Sequence, residues 1–267
     1  MKNIIYQYWC GNPPKICEAS TQNVKQYAER IGATHKVEYN PTFSLPGGSS
    51  QYYGALRPIY DEFFHEYDNV LFLDMDIFAV ENLNENIFEQ DVKEFGICTE
   101  PHKIPIRKNR KGGISAEEDK RWDEALYQAY GKRMPRDKNG DIKIYNTGVV
   151  LYTNAGLKKA KNNFVTPKEY IDKVENAKLD RFYVHTEQPY LHSQASLHLD
   201  ITEMHNGWNS YIHWGENKSV PRDIVDTRTI ETKFVHVQLR GYRNSSKSLY
   251  YKMTNLPVSD WKKEIYG

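Results

Sequence analysis

Val70-Leu71-Phe72-Leu73-Asp74-Met75-Asp76 is the stretch of sequence that decides the fold. Its four consecutive apolar residues predict a strand that is buried on both faces, as in a parallel sheet. Side chains alternate along a strand, so Asp74 and Asp76 point to the same side. Ligands bind at the carboxyl ends of strands in open α/β sheets. Because two carboxylates at that edge repel each other, the pattern predicts a divalent cation that carries a phosphorylated ligand. A solvated turn, where Asp is common, is the alternative.

Strands and helices alternate on both sides of this stretch. Further strands are predicted over residues 4–9, 35–39, 94–99, 144–152 and 233–237. The most regular helical pattern lies directly before the central strand, over residues 56–67. Its apolar residues share one helical stripe and are Leu56, Ile59, Tyr60, Phe63, Phe64 and Tyr67. The alternation predicts an α/β fold with a mostly parallel sheet flanked by helices.

A charged segment over residues 102–140 interrupts this alternation. It contains one predicted helix, which begins at a capping box formed by Ser115 and Glu118. Trp122 and Leu126 lie on the apolar face of that helix, followed by Ala129 and Tyr130. We interpret the segment as an insertion into a single domain that spans residues 1–267. A loop rich in Pro, Gly and Ser is predicted over residues 41–50.

Composition excludes several classes of protein. The chain has 267 residues and a formal net charge of +1, which argues against a nucleic-acid surface as its main partner. Its three cysteines, Cys10, Cys17 and Cys98, have no metal-ligand spacing and cannot all pair in disulfides, which favours a reducing compartment. The start is too polar for a signal peptide, and no apolar run reaches the length of a membrane span. We therefore expect a cytoplasmic protein without an integral membrane segment.

Five motifs occur in a recognisable order along the chain. They are residues 4–9 followed by Gly11-Asn12, the triplet Asp74-Met75-Asp76, residues 145–152, the pair Glu187-Gln188, and Val235-His236-Val237. Together they resemble the nucleotide-sugar-dependent glycosyltransferases of the GT-A fold, with the closest likeness to families eight and thirty-two. The triplet resembles the DXD motif of these enzymes. Residues 145–152, which read Tyr-Asn-Thr-Gly and then an apolar run, resemble a family eight segment.

The resemblance implies a donor site and a metal site. In such enzymes the DXD carboxylates hold Mn²⁺ or Mg²⁺ on the diphosphate of a nucleoside-diphosphate sugar, here a UDP-sugar, and a late His completes the metal site. The metal ligands implied are Asp74, Asp76 and His236. Further residues implied to contact the donor are Gln7, Tyr8, Arg57, Asp74 and Asn146.

The same resemblance implies where the sugar is transferred. It assigns Glu187 to hydroxyls of the donor sugar and Gln188 to a position beside the reacting anomeric carbon. It also implies transfer with retention of anomeric configuration, to a carbohydrate or glycolipid acceptor. Carboxylate oxygens joined by one imidazole suit Mn²⁺ better than Ca²⁺, which agrees with this assignment.

Two departures from the family pattern concern cations at the donor site. In family eight the metal His is followed closely by Gly and Lys, whereas here Gly241 and Lys247 lie five and eleven residues further on. Arg240, Arg243 or Lys247 is therefore the candidate to meet the diphosphate, and Lys247 is favoured. In family thirty-two an Asp lies three positions before the helix Arg. Here that position is Gly54, so Arg57 alone is carried over.

Other interpretations of the same residues remain open. Haloacid-dehalogenase-type phosphatases also place Asp-x-Asp after an apolar strand, but the later acidic pair that such enzymes need is missing apart from Gly140-Asp141. A non-catalytic module that binds sugar nucleotides is a third possibility. By itself, His236 is also compatible with a hydrogen-bonded histidine inside a strand. Trp208 is equally compatible with stacking on an acceptor and with the core.

Overall fold

A computed structural model describes residues 1–40, 53–215 and 223–266 of the chain. The fold is mixed α/β, with a mostly parallel central sheet flanked by helices, as the sequence predicts. The loop predicted over residues 41–50 lies outside the described residues. Within the described residues, no helix combines the length and the apolar composition that crossing a membrane requires.

The predicted strands all form, with bounds that differ by one or two residues from those expected. The strands are β1 (Asn3–Trp9), β2 (Thr34–Tyr39), β3 (Asn69–Leu73), β4 (Ile77–Ala79), β5 (Phe95–Thr99), β6 (Tyr145–Thr153), β7 (Ile201–Glu203), β8 (Ser210–Trp214), β9 (Ile224–Asp226) and β10 (Phe234–Gln238). The helices are α1 (Lys15–Arg30), α2 (Arg57–Tyr60), α3 (Lys103–Asn109), α4 (Ala116–Tyr130), α5 (Asn154–Asn163), α6 (Pro167–Val174), α7 (Arg181–His185), α8 (Glu187–His198), α9 (Lys247–Asn255) and α10 (Val258–Tyr266).

The chain divides into two compact units. The first unit comprises Met1, Thr42–Val70 and Asp91–Met204, and the second comprises Lys2–Pro41, Leu71–Gln90 and His205–Gly267.

In the second unit, β1 pairs in parallel with β2. A smaller sheet of four strands has the order β4-β10-β8-β9, with β10 antiparallel to β4 and parallel to β8. Its apolar core includes Cys17 from α1, Val235 from β10, Tyr250 from α9 and Trp261 from α10, all of them buried. This packing fixes β10 beside the chain that follows the central strand.

In the first unit, β5 lies antiparallel to β6 and parallel to β7. The charged segment packs into this unit through α4, whose Trp122 and Leu126 are buried. The indole Nε1 of Trp122 donates a hydrogen bond of 2.8 Å to the hydroxyl of Tyr170 on α6. The N-cap of the predicted helix is confirmed, since Ser115 Oγ accepts from the backbone N–H of Glu118. In a complete capping box the Glu118 carboxylate would accept from the backbone N–H of Ser115. Here it accepts instead from Arg121 and from the backbone N–H of Asp180.

The prediction of one helix over residues 56–67 is wrong, because the α-helix that forms is much shorter. An α-helix covers only Arg57–Tyr60, flanked by 3₁₀ helices over Gly54–Leu56 and Glu62–Glu66. Asp61 ends it, because its backbone is extended (φ −98°, ψ 114°) and its carboxylate accepts from the backbone N–H of Phe63. Such local side-chain bonds compete with helical hydrogen bonding. Most of the predicted stripe is nevertheless buried, whereas Phe63 is 39% exposed.

Candidate active site

The predicted metal ligands come together in the second unit. One ligand atom each from Asp74, Asp76 and His236 lies within 4.8 Å of the others. His236 Nε2 is 3.0 Å from Asp76 Oδ1 and 3.8 Å from Asp74 Oδ2. Two ligands at right angles around Mg²⁺, each about 2.1 Å from it, lie about 3.0 Å apart. The donor set and its spacing therefore fit a small divalent cation.

Strand pairing explains how residues so distant in sequence meet. Asp74 and Asp76 follow β3, and Ile77 begins β4, which pairs antiparallel with β10 so that His236 lies opposite Ile77. The backbone N–H of Val237 donates to the carbonyl of Asp76 over 2.9 Å. The ring of Tyr211 on β8 stacks against the imidazole at 5.4 Å between centroids. These contacts hold the imidazole on the same side as the two carboxylates.

A buried chain of hydrogen bonds holds both ends of the Asp74–Ile77 turn. Gln7 on β1 is fully buried, and its amide Nε2 lies 3.0 Å from Ser20 Oγ and 3.3 Å from the carbonyl oxygen of Asp74. Ser20 Oγ donates to the carbonyl of Ile77 over 2.6 Å. The amide oxygen of Gln7 lies 3.0 Å from His35 Nε2. Since an amide oxygen can only accept, this imidazole nitrogen is the donor.

Burial keeps the His35 end of this chain of bonds neutral. Desolvation, with a smaller contribution from the charge of Lys25, lowers the pKa of His35 to about 4. When His35 is neutral with its proton on Nε2, each of these hydrogen bonds has a defined donor. The imidazole donates to Gln7, Gln7 donates to Ser20, and Ser20 donates to the carbonyl of Ile77.

The electrostatics of the cluster favour a bound cation. Burial raises the pKa of the Asp74 carboxyl above its usual range, and the Asp76 charge adds to this shift, whereas His236 and Arg243 oppose it. A divalent cation held by a neutral His236 would take the place of the imidazolium charge and favour the carboxylate form of Asp74. Arg243 acts on Asp74 from the segment between β10 and α9, where its guanidinium lies 5.7 Å from the ring centre of Trp9.

The cationic segment over residues 240–247 is tied to its surroundings at several points. The backbone N–H of Ile16 donates to the carbonyl of Arg243 over 2.9 Å, and the Tyr242 hydroxyl donates to the carbonyl of Ile265 over 2.6 Å. Lys247 opens α9, and its ammonium lies 2.8 Å from a carboxylate oxygen of Glu18. In this arrangement Lys247 is paired with an acidic partner, whereas Arg243 acts on the Asp74 carboxyl.

The remaining predicted site residues belong to the first unit, apart from the buried Tyr8 on β1. Asn146 is buried in β6, and its side-chain oxygen accepts from the backbone N–H of Gly148 over 2.8 Å. The pairing of β6 with β5 skips residues 147–149 at this point, so the predicted interruption of the strand is a bulge in its pairing. The guanidinium of Arg57 donates twice to Asp61 Oδ2, over 3.1 Å each time.

Glu187 and Gln188 lie in the first turn of α8. Thr186 is the N-cap residue of this helix, and Glu187 Oε1 accepts from Thr147 Oγ1 over 3.3 Å. Burial, together with the nearby charge of Glu187, raises the pKa of Tyr53 to about 12. Glu187 thus faces the bulge of β6 from the start of α8.

Sequence reasoning missed two groups of residues and left a third undecided. Gln238 lies two residues beyond His236 on the same face of β10, with its amide nitrogen 3.1 Å from His236 Nε2, and the alternation of side chains along a strand could have identified it. Ser20 and His35 had no signal, because their role depends on how β1, β2 and α1 pack. Trp208 is only 2% exposed, so it belongs to the core rather than to an acceptor platform.

Comparison with known proteins identifies the fold. No protein-family model and no curated protein sequence matches the chain. The solved structure of the galactosyltransferase LgtC in complex with donor and acceptor sugar analogs has a TM-score of 0.54 and 11% sequence identity, covering 98% of this chain and 99% of that one. At this identity the likeness shows the fold alone, which is the GT-A type that the sequence predicts. A glycosyltransferase involved in glycosylation of the major capsid of PBCV-1 matches with a TM-score of 0.46 and 12% identity, covering 95% of this chain and 98% of that one.

Proposed function

We propose that the chain is a metal-dependent glycosyltransferase that moves a sugar from a nucleoside-diphosphate sugar to a hydroxyl of a carbohydrate or glycolipid acceptor, with retention. The observation that carries the proposal is the cluster of Asp74, Asp76 and His236, whose ligand atoms lie within 4.8 Å of one another. The cluster occurs on a fold shared with LgtC, a galactosyltransferase solved with donor and acceptor sugar analogs. The donor is a UDP-sugar, and the metal is Mn²⁺ or Mg²⁺.

The leaving group explains why the site needs this charge arrangement. Transfer breaks the bond between the anomeric carbon and a diphosphate oxygen and forms a bond from that carbon to the acceptor oxygen. The departing nucleoside diphosphate takes the electron pair of the broken bond, and the proton of the acceptor hydroxyl passes to it. A bound divalent ion would supply Lewis acidity at that oxygen and orient the diphosphate. Asp74, Asp76 and His236 hold the ion, and Arg243 is the cation placed to add charge beside it. Lys247 reaches the diphosphate only if it exchanges Glu18 for a phosphate oxygen.

The other residues divide between binding the donor and orienting the reaction. Tyr8, Arg57 and Asn146 contact the nucleotide or the sugar of the donor, and Gln7 contributes through the backbone of Asp74. Glu187 accepts hydrogen bonds from hydroxyls of the donor sugar. In support of this role, its carboxylate already accepts a hydrogen bond from another hydroxyl, that of Thr147. Gln188 lies beside the anomeric carbon as that carbon becomes electron-poor.

The whole chain acts as one glycosyltransferase domain in this proposal. The charged segment over residues 102–140 contributes to the acceptor side, and its partly buried helix α4 gives that side a fixed framework. Deleting the segment would remove core residues such as Trp122, so point substitutions are the better test of its role.

Two other functions explain less of the site. A haloacid-dehalogenase-type phosphatase would use Asp74 as a nucleophile and would leave His236, 3.8 Å from it, without a role. A binding module without activity would use the same ligands, so only turnover separates it from an enzyme.

A donor screen tests the proposal directly. Purified protein is incubated with each of a set of nucleotide sugars and Mn²⁺, and the release of free nucleoside diphosphate is measured with and without EDTA. We expect release from at least one UDP-sugar, abolished by EDTA and by Asp76→Ala, with retained configuration in the product by NMR. Binding of UDP and Mn²⁺ without release from any donor would favour the binding module. Release of inorganic phosphate from a phosphate monoester would favour the phosphatase.

A further inference from the structure

A small cavity lies within the first unit, among side chains of α3, α4, α7 and α8. Its free volume is about 10 Å³, which is room for about one water-sized group. The lining includes Arg107, Asp119, His192 and Gln188, the residue assigned above to the anomeric carbon. This space is large enough for one substituent of a sugar ring.

His192 lines this cavity and carries a ring nitrogen that can form a hydrogen bond to a ligand. The residue is only 5% exposed, and its Nε2 has no hydrogen-bond partner among the residues that the structure describes. Its ring lies 5.2 Å from that of Trp122 and 4.6 Å from that of Tyr145, measured between centroids. Burial, reinforced by the charge of Arg107, lowers the pKa of His192 to about 3, so the imidazole is neutral. A buried polar atom without a partner destabilises a fold unless a ligand or water satisfies it.

Arg107 and Asp119 add a pair of opposite charges to the lining of the cavity. Arg107 is 9% exposed, and its Nη1 donates to Asp119 Oδ1 over 2.5 Å. The Tyr183 hydroxyl donates to the same carboxylate oxygen over 2.8 Å. Both side chains line the cavity. The cavity thus offers donors and an acceptor side by side.

The opposite charges of Arg107 and Asp119, together with the neutral His192, determine which chemical class of ligand fits the cavity. An anion that approached Arg107 would meet the Asp119 carboxylate, and a cation that approached Asp119 would meet the Arg107 guanidinium. A hydroxyl group both donates and accepts, so it can satisfy both residues as well as a neutral imidazole. Aromatic walls such as Trp122 suit the apolar C–H faces of a sugar.

We propose that this cavity binds a hydroxyl or hydroxymethyl substituent of a sugar substrate, through His192, Arg107 and Asp119. The inference rests on the proposed glycosyl transfer, because Gln188 lines the same cavity. The substituent belongs to the transferred sugar or to the acceptor sugar, and these sources share the same chemistry. In either case His192 determines which sugars are accepted.

Replacing His192 by Phe tests this inference, because Phe keeps an aromatic ring and removes the unpaired nitrogen. We expect the melting temperature of His192→Phe to equal or exceed that of the wild type. We expect its kcat/KM to fall about tenfold or more, as for the loss of a buried hydrogen bond to substrate. The probes are UDP-glucose, UDP-galactose and UDP-xylose with Mn²⁺, assayed by UDP release without acceptor, and then with p-nitrophenyl glycosides as acceptors.

The two assays distinguish the source of the substituent. If it belongs to the transferred sugar, the wild type prefers a hexose donor to UDP-xylose, which lacks the hydroxymethyl group, and His192→Phe loses that preference. If it belongs to the acceptor, UDP release without acceptor is unchanged and transfer to the glycoside falls. Either result supports the inference. Unchanged release and unchanged transfer would overturn it.

Two further variants control for packing. Ser196 lies one turn further along α8, and its buried Oγ also has no hydrogen-bond partner within the described part of the chain, but it does not line this cavity. Ser196→Ala should therefore leave both assays unchanged. His192→Gln retains a polar amide and should recover part of the lost activity, also if the Phe variant folds poorly. A wild-type protein that releases UDP from no donor would overturn the proposed function itself.

Discussion

Asp76 carries the shortest contact of the proposed metal site, since its carboxylate oxygen lies 3.0 Å from His236 Nε2. We expect Asp76→Ala to weaken Mn²⁺-dependent UDP binding more than about tenfold, because a charged ligand is lost. The fold should persist, because the side chains of Asp74 and Asp76 are 38% and 17% exposed at the end of a strand. Calorimetry of UDP binding with Mn²⁺ measures the loss, and circular dichroism measures the fold.

His236→Ala should weaken Mn²⁺ binding less than Asp76→Ala, because it removes a neutral ligand. Glu231→Ala is a matched control, since Glu231 pairs with His205 over 3.2 Å on the surface of the same unit. That variant should bind Mn²⁺ and UDP as the wild type does. Undiminished binding in Asp76→Ala would contradict the metal site, and undiminished binding in His236→Ala would return that residue to a structural role.

Gln7 supports the Asp74–Ile77 turn and is not itself one of the proposed metal ligands, because its amide contacts the Asp74 carbonyl and Ser20. We expect Gln7→Met, which keeps the length of the side chain, to lower Mn²⁺ affinity about tenfold, as substitutions behind metal ligands commonly do. Manganese EPR should also show a changed ligand symmetry. The Mn²⁺ affinity is measured together with the free energy of unfolding from a urea titration, so that a loss of binding is distinguished from a loss of stability.

Asn23→Ala is the control that distinguishes a positioning role of Gln7 from a general effect on the stability of the fold. Asn23 lies on α1, as Ser20 does, and its side chain binds the backbone of Ala79 through bonds of 2.7 and 3.0 Å. The variant should lose stability to a similar extent while Mn²⁺ affinity is retained. If both variants lowered affinity in proportion to stability, Gln7 would have a packing role only.

At the scale of elements, the sequence predicted those parts that depend on local pattern. The strand before Asp74 and the helix after Ser115 both form, since apolar runs and capping residues act over a few positions. The helix over residues 56–67 failed because the carboxylate of Asp61 binds Arg57 and the backbone of Phe63, which a stripe of apolar residues does not reveal.

The metal cluster was predictable in composition but not in its supporting contacts. Motif order brought together Asp74, Asp76 and His236. The hydrogen bonds from Gln7 and Ser20 depend on the packing of β1 and α1 against the turn, and the position of Gln238 depends on the register of β10. Packing and register of this kind are long-range properties that no local pattern contains.

The segment between β10 and α9 gives a prediction about the diphosphate. Arg243 acts on Asp74, whereas Lys247 is paired with Glu18 at the exposed start of α9. We therefore expect Arg243→Ala to weaken UDP binding in the presence of Mn²⁺ more than Lys247→Ala does. Exposed ion pairs contribute about 0–1 kcal/mol, so Lys247→Ala should scarcely change stability. Calorimetry on both variants checks the order.

Glu18→Gln is the control for that comparison, because it removes the charge that pairs with Lys247 and leaves only neutral acceptors such as Gln22 beside it. If Lys247 is the residue that meets the diphosphate, this variant should bind UDP more tightly than the wild type. Tighter binding in Glu18→Gln, combined with a larger loss in Lys247→Ala than in Arg243→Ala, would overturn the assignment to Arg243.

At the scale of the whole molecule, a ligand that binds only the folded chain must raise its stability. A saturating ligand at about a hundred times its dissociation constant adds about 2.7 kcal/mol to the free energy of unfolding. For a chain of this size that corresponds to a rise of about 5–10 °C in melting temperature. We expect this rise with Mn²⁺ and UDP together, measured by scanning calorimetry, and a smaller one with either alone. Ca²⁺ should replace Mn²⁺ poorly, because it prefers longer bonds and oxygen ligands, whereas this site includes His236. An equal rise with Ca²⁺ and UDP, or an undiminished rise with Mn²⁺ and UDP in Asp76→Ala, would show that the stabilising ligand binds elsewhere.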